Sequence, residues 1–182
     1  MGAELERLLD HRIRSVVDWP VPGVTFRDIT PLLADPRGIP VVVEGLVAAL
    51  AEQGIVGVDL VAGVEARGFV LGAPLAVALG AGFVPVRKEG KLPGDVHAET
   101  YDLEYGTATL ELQVGAIAAG HAVLLVDDVL ATGGTAAAAA SLLRAAGADV
   151  VALAVLLELP ALRGRGRLGD LPVLSLRAVR AP

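Results

Sequence analysis

Two adjacent carboxylates and a glycine-rich turn follow one apolar run of the sequence. The run 123–126 predicts a buried strand, and Asp127 and Asp128 come directly after it. Five further residues lead into an alanine-rich stretch that predicts a helix: Ala131, Thr132, Gly133, Gly134 and Thr135. Carboxylates suit sugar hydroxyls or a metal, whereas a glycine turn at a helix N-terminus attracts phosphate through its backbone N–H groups. The spacing therefore predicts a site for a sugar phosphate or a nucleotide.

Four cationic side chains are expected near those carboxylates. Arg87, Lys88 and Lys91 follow the apolar run 83–86, and Arg67 follows the run 59–64. Because the carboxyl ends of parallel strands share one edge of a sheet, these residues should lie beside Asp127. Arginine and lysine neutralise multiply charged anions, so this edge of the sheet is suited to a pyrophosphate.

Short apolar runs alternate with helical patterns along the chain, which predicts an α/β fold with a parallel sheet covered by helices on both faces. The apolar residues between Leu5 and Val17 have helical spacing and predict a first helix. Residues 68–86 carry no charge, but their prolines and glycines favour a buried helix and strand over a membrane span. Residues 87–105 are polar and predict a long loop, of the kind that is usually functional or disordered.

Composition excludes several classes of protein. The chain has 182 residues, of which 54% are hydrophobic and 20% are charged, so it is not disordered. It has no cysteine, which excludes a disulfide scaffold and a thiolate metal site. The net charge of -6 and the aromatic content of 3% argue against nucleic acid as a partner. We expect no membrane association and a cytoplasmic location.

The stretch 123–135 resembles the phosphoribosyl pyrophosphate (PRPP) motif of the type I phosphoribosyltransferases. Three further segments resemble those of the adenine phosphoribosyltransferases in the same chain order. They are the adenine-side segment 22–29, the pyrophosphate loop 65–69 and the catalytic loop 87–106. The resemblance spans about residues 19–160.

The resemblance implies a type I phosphoribosyltransferase-like α/β fold, with a mostly parallel sheet, helices on both faces, a small hood and a flexible loop. It implies a single domain over residues 1–182. Within it, residues 1–34 would form the N-terminal helix and the adenine-side hood segment, and residues 87–106 the mobile catalytic loop.

The resemblance also assigns roles to residues. Expected contacts to PRPP or AMP come from Asp127, Asp128, Ala131, Thr132, Gly133, Gly134 and Thr135. Expected contacts to adenine come from Thr25, Phe26, Arg27, Tyr105 and Leu157. Expected catalytic residues are Glu104, Arg67, Arg87, Lys88 and Lys91, with Glu104 handling the purine proton. Mg²⁺ is expected to be held by PRPP and pyrophosphate near Asp127 and Asp128, with no direct protein ligand assigned. The chain is expected to form a homodimer.

The implied reaction is the transfer of the phosphoribosyl group from PRPP to N9 of adenine, giving AMP and pyrophosphate. Ala131 favours adenine, because hypoxanthine-guanine enzymes commonly carry an aspartate at this motif position. Two alternatives stay open at this point. One is a PRPP-binding regulatory protein of the same fold, and the other is a phosphoribosyltransferase for another base, such as xanthine.

Overall fold

The computed structural model describes residues 2–102 and 106–179 of the chain. The helices are α1 (Ala3–Arg12), α2 (Thr30–Leu33), α3 (Gly38–Glu52), α4 (Arg67–Leu79) and α5 (Gly134–Ala145). The first five strands are β1 (Arg14–Val17), β2 (Thr25–Asp28), β3 (Leu60–Val64), β4 (Gly82–Lys88) and β5 (Val96–Asp102). The others are β6 (Thr107–Gln113), β7 (Ala122–Leu130), β8 (Asp149–Glu158) and β9 (Val173–Ala178). Two 3₁₀ helices, Pro160–Leu162 and Gly164–Arg167, lie between β8 and β9.

Seven strands form one sheet in the order β5-β6-β4-β3-β7-β8-β9. Strands β4, β3, β7, β8 and β9 are parallel, and β6 and β5 continue the sheet as antiparallel strands. Strands β1 and β2 pair separately as a small antiparallel sheet. The predicted α/β class with a mostly parallel sheet is confirmed, and the separate pair corresponds to the expected hood.

Each face of the sheet has its own apolar core, because successive side chains of a strand point to opposite faces. On one face, Leu124 and Val126 of β7 pack in a core to which α1, α3 and α4 contribute. On the other face, Val123 and Leu125 pack in a core to which α5 contributes Leu142. Both faces are therefore covered by helices, as predicted. In the described ranges, no helix is long and apolar enough to cross a membrane.

Two elements differ from the sequence prediction. Helix α1 ends at Arg12, and residues 14–17 form β1 instead of its last turn. Val16 and Val17 are β-branched and pair with Phe26 and Thr25, so strand pairing overrides the helical spacing. The segment predicted as a loop contains β5, which pairs with β6 over its whole length. The mobility expected for residues 87–106 stays a prediction.

Candidate active site

The two carboxylates lie where the sheet opens between β3 and β7. The pairing of β7 with β3 ends at Val126, whereas its pairing with β8 continues to Leu130. Asp127 and Asp128 therefore stand within β7 but beyond its contact with β3. This is a crevice at the carboxyl ends of parallel strands, the usual place for ligands in such sheets.

The carboxylates have different environments. Asp128 is buried, and its Oδ2 forms an ion pair with Nε of Arg67 at a distance of 2.7 Å. The side chain of Asp127 accepts a 2.8 Å hydrogen bond from the Asp128 backbone N–H. Burial, together with the negative charge of Asp128, raises the pKa of Asp127 well above its usual value. Asp128 is thus already paired with an arginine, whereas a negative charge on Asp127 is energetically costly.

The glycine turn follows β7 and opens α5. Gly133 has φ of +83°, and a Cβ there would lie 2.4 Å from the Gly164 carbonyl oxygen. Only glycine fits this position. Helix α5 begins at Gly134 with no side-chain cap and no acidic residue in its first turn. Its first backbone N–H groups are consequently suited to an anion.

A cavity of about 340 Å³ joins the carboxylates to this turn. It is lined by the predicted residues Arg67, Lys88, Asp127, Asp128, Ala131, Thr132, Gly133, Gly134 and Thr135. The cavity therefore brings together groups suited to sugar hydroxyls and groups suited to phosphate oxygens.

The remaining predicted cations are gathered by one carboxylate. Glu65 accepts hydrogen bonds from Nε of Arg87 at 3.4 Å and from the backbone N–H of Lys88 at 3.1 Å. It also pairs with Nζ of Lys91. Burial by itself would raise the pKa of Glu65, but the hydrogen bonds from Lys91 and Lys88 outweigh it and lower the pKa. Glu65 thus holds Arg87 and Lys91 beside the cavity that Lys88 lines.

A second cavity, of about 380 Å³, is mainly apolar and adjoins the first. It is lined by Thr25, Phe26 and Arg27 of β2 together with Leu159 and Leu162. The Phe26 ring meets Trp19 edge-on, with centroids 4.4 Å apart, and the guanidinium carbon of Arg67 lies 5.0 Å from the centre of that ring. Among the residues that the structure describes, four line both cavities: Arg67, Val129, Ala131 and Thr132. A flat apolar ring is suited to the second cavity.

One expected base contact, Leu157, does not line this cavity. Leu157 is 1% exposed and packs in the core, and the wall is formed by Leu159 and Leu162. Strand β8 is buried over nearly its whole length, so its sequence does not show which residues reach a ligand. Glu104 and Tyr105 lie outside the described residues.

Gly164 packs against the glycine turn, and the sequence analysis did not identify this contact. A Cβ on Gly164 would lie 2.3 Å from the Ala131 carbonyl oxygen, so its 3₁₀ helix packs directly on the glycine turn. Gly164 reaches the glycine turn because it belongs to the segment that follows β8. The signal in the sequence is a glycine that no local turn requires.

We expect Gly164→Ala to displace the glycine turn, because the clash is with backbone atoms that cannot rotate away. The free energy of unfolding should fall by about 1–3 kcal/mol. Affinity for a phosphate ligand should fall with it. Denaturant unfolding is the measurement, and Gly166→Ala is the matched control because a Cβ there meets nothing within 4 Å. Equal stability of the two variants would contradict this packing role.

The carboxylates of the site are chemically suited to a magnesium ion. In residues 2–102 and 106–179, no three acidic or histidine side chains converge on one metal position. Asp127 and Asp128 offer carboxylate oxygens at the cavity wall, next to the turn suited to phosphate. Mg²⁺ prefers oxygen ligands and often combines few protein contacts with substrate phosphates.

Residues 39–176 match the phosphoribosyl transferase domain family. An adenine phosphoribosyltransferase of Kineococcus radiotolerans is 64% identical over 163 residues, which cover 90% of this chain and 86% of that protein. The crystal structure of adenine phosphoribosyltransferase from Rhodothermus marinus has a TM-score of 0.89 and 47% identity, covering 98% of this chain and 100% of that chain. The Saccharomyces cerevisiae enzyme, solved with an imino-altritol bisphosphate and adenine, has a TM-score of 0.91 and 39% identity, covering 97% and 100%. The chain therefore belongs to the phosphoribosyltransferase family and, within it, to the adenine phosphoribosyltransferases.

Proposed function

We propose that this chain transfers the 5-phosphoribosyl group of PRPP to N9 of adenine, giving AMP and pyrophosphate in purine salvage. The observation that carries the proposal is the meeting of two cavities at Arg67. One is apolar and contains Phe26, and the other contains two carboxylates and a glycine turn. A ligand that fills both has a flat base at one end and a phosphorylated sugar at the other.

Adenine is proposed to bind in the apolar cavity. Phe26 offers an aromatic ring, and Leu159 and Leu162 offer further apolar contacts in the same cavity. Ala131 lies between the cavities and has no side-chain hydrogen-bonding group. Alanine at this position supports adenine over a 6-oxopurine, because it offers no carboxylate that could recognise the ring of a 6-oxopurine.

The phosphoribosyl group is proposed to lie along the second cavity. Asp127 and Asp128 would accept hydrogen bonds from the ribose hydroxyls. The 5′-phosphate would lie in the turn, where Thr132 and Thr135 offer hydroxyls and Gly133 and Gly134 offer backbone N–H groups. The absence of an acidic residue from the first turn of α5 supports this orientation.

The reaction forms a bond between N9 and the anomeric carbon while the bond from that carbon to pyrophosphate breaks. Pyrophosphate leaves with the bonding electron pair, and positive charge develops on the ribose ring. Arg67 and Lys88, which line the cavity, would stabilise the departing negative charge. Arg87 and Lys91 would join them by leaving Glu65 for the phosphates, since pyrophosphate carries more charge than one carboxylate.

Magnesium would be held by the oxygens of PRPP and pyrophosphate near Asp127 and Asp128, where it would supply Lewis-acid assistance to the leaving group. The proton of N9 must pass to a base, and Glu104 is proposed for this role from the resemblance of its segment. A carboxylate can take that proton when a closing loop removes its water.

The proposal is tested by pyrophosphate release from PRPP and Mg²⁺ with adenine, hypoxanthine, guanine and xanthine supplied separately. Rapid release is expected with adenine and not with the other three bases. AMP should form in the same amount as pyrophosphate. Equal release with xanthine would contradict the assignment of the base. PRPP binding without release for any base would indicate a regulatory protein instead.

A homodimer in the cytoplasm is proposed as the functional form. Val70 and Val77 lie on α4 seven positions apart and are 38% and 83% exposed. An apolar helix face of this kind supports association with a second copy of the chain. The location rests on the cysteine-free composition. Sedimentation equilibrium tests the assembly, and a monomeric mass at micromolar concentration would contradict it.

A further inference from the structure

Tyr101 contacts the glycine turn from a different part of the fold. It lies on β5, the edge strand of the sheet, and its half-buried ring packs against the core on the α5 face. Its hydroxyl lies 3.2 Å from Oγ1 of Thr135. Its Cδ2 would lie 3.7 Å from a Cβ on Gly134, so the ring stands against the beginning of α5. Tyr101 also lines the cavity that holds the carboxylates.

The direction of this hydrogen bond is open in the free site, because either hydroxyl can donate. A phosphate dianion has only acceptor oxygens, so a threonine hydroxyl that contacts it must donate its single proton. The Thr135 oxygen then needs a donor, and the Tyr101 hydroxyl is the group within reach. A phenol donating to a hydroxyl that donates to an anion forms a chain whose bonds polarise one another.

We propose that Tyr101 is a positioning residue of the 5′-phosphate subsite: its hydroxyl donates to Thr135 and directs the Thr135 proton to the phosphate. The inference rests on the proposed function only in naming the ligand, a 5′-phosphorylated ribose. It also connects the β5–β6 hairpin to phosphate binding, because Tyr101 belongs to that hairpin. The sequence gives no sign of this role, since residues 101 and 135 meet only in the folded sheet.

The test is Tyr101→Phe, which removes one oxygen and keeps the ring that packs in the core. Affinity for AMP and the KM for PRPP should each weaken about five- to tenfold, as for the loss of one hydrogen bond in a polarised pair. The KM for adenine and kcat should stay within about twofold. Thr100→Val is the matched control: it removes a 3.0 Å hydroxyl pair with Thr109 from the exposed face of the same strand. It should leave both phosphate ligands unaffected.

A double-mutant cycle decides whether Tyr101 acts through Thr135. On a Thr135→Val background, Tyr101→Phe should weaken AMP binding by less than about twofold, because the relay is already broken. A full additional five- to tenfold loss would overturn the positioning role. AMP affinity of Tyr101→Phe within twofold of wild type would also overturn it.

The proposed function has its own readout in the same experiment. If wild-type chain binds AMP but forms none from adenine and PRPP, the proposed function fails while the AMP affinities still test Tyr101. If wild-type chain is active and Tyr101→Phe binds AMP normally, only the role of Tyr101 fails.

Discussion

Replacing Arg67 by glutamine is expected to lower kcat for AMP formation by about 10²–10³-fold, the usual cost of removing one group that stabilises transition-state charge. Arg67 lines both cavities, pairs with Asp128 at 2.7 Å and lies over the Phe26 ring. It therefore lies between the apolar cavity proposed for the base and the carboxylates proposed for the ribose. Arg67→Lys should recover part of the rate, because it keeps the charge but loses the planar fork.

The measurement must separate chemistry from folding, because Asp128 is buried and loses its partner in Arg67→Gln. Single-turnover kinetics reports the chemical step, and thermal unfolding reports the fold. Arg12→Gln is the matched control. It breaks a pair between a half-exposed arginine and the buried Asp35, and Arg12 lines neither cavity. A rate for Arg67→Gln within about threefold of Arg12→Gln would remove Arg67 from the catalytic machinery.

The main part of the site is predictable because it is local in sequence. Asp127, Asp128 and the glycine turn occupy nine consecutive positions, and one strand followed by one helix is enough to arrange them. The cations follow from a single rule, since Arg67 and Lys88 stand at the carboxyl ends of β3 and β4. The structure brings both to the same cavity as Asp127.

The residues missed by sequence reasoning depend on contacts between distant segments. Gly164 reaches the turn only because the chain folds back after β8, and Tyr101 reaches Thr135 only because β5 is added at the sheet edge. Leu157 illustrates a different limit. On a strand buried on both faces, alternation does not distinguish a core residue from a ligand contact. Local sequence pattern therefore identifies the residues that carry the chemistry, whereas tertiary packing determines which other residues hold them in place.

The second large effect is expected when Asp127 and Asp128 are replaced. It distinguishes their role in ligand binding from their effect on stability. Replacing both by alanine should weaken PRPP and AMP binding by about 10²–10⁴-fold, since each hydrogen bond to a charged group is worth about 1.5–3 kcal/mol. Adenine should be affected much less, because neither residue lines the apolar cavity. Calorimetric titration is the measurement. An unchanged affinity for AMP in the double variant would remove both residues from the ribose site.

The single asparagine variants should change stability in opposite directions. The raised pKa of Asp127 means that at neutral pH the folded chain either carries a costly charge or takes up a proton, and either one is a cost to its stability. Asp127→Asn removes that cost and can still accept the Asp128 N–H, so it should unfold at higher temperature than wild type at pH 7. The advantage should shrink as pH falls toward the ordinary pKa of an aspartate, about 3.9, and vanish below it, where the folded and unfolded chains are both protonated.

Asp128→Asn should instead destabilise the fold, because it removes the negative charge of the buried partner of Arg67. It should also bring the pKa of Asp127 down, since a neighbouring negative charge is lost. Thermal unfolding across about pH 3–8 without ligand or Mg²⁺ distinguishes the two variants. If Asp127→Asn is the less stable of the two at pH 7, the charge of Asp127 is not a burden to the fold. A gain in stability together with a loss of AMP affinity would show that the Asp127 carboxylate is retained for binding, at the expense of the fold.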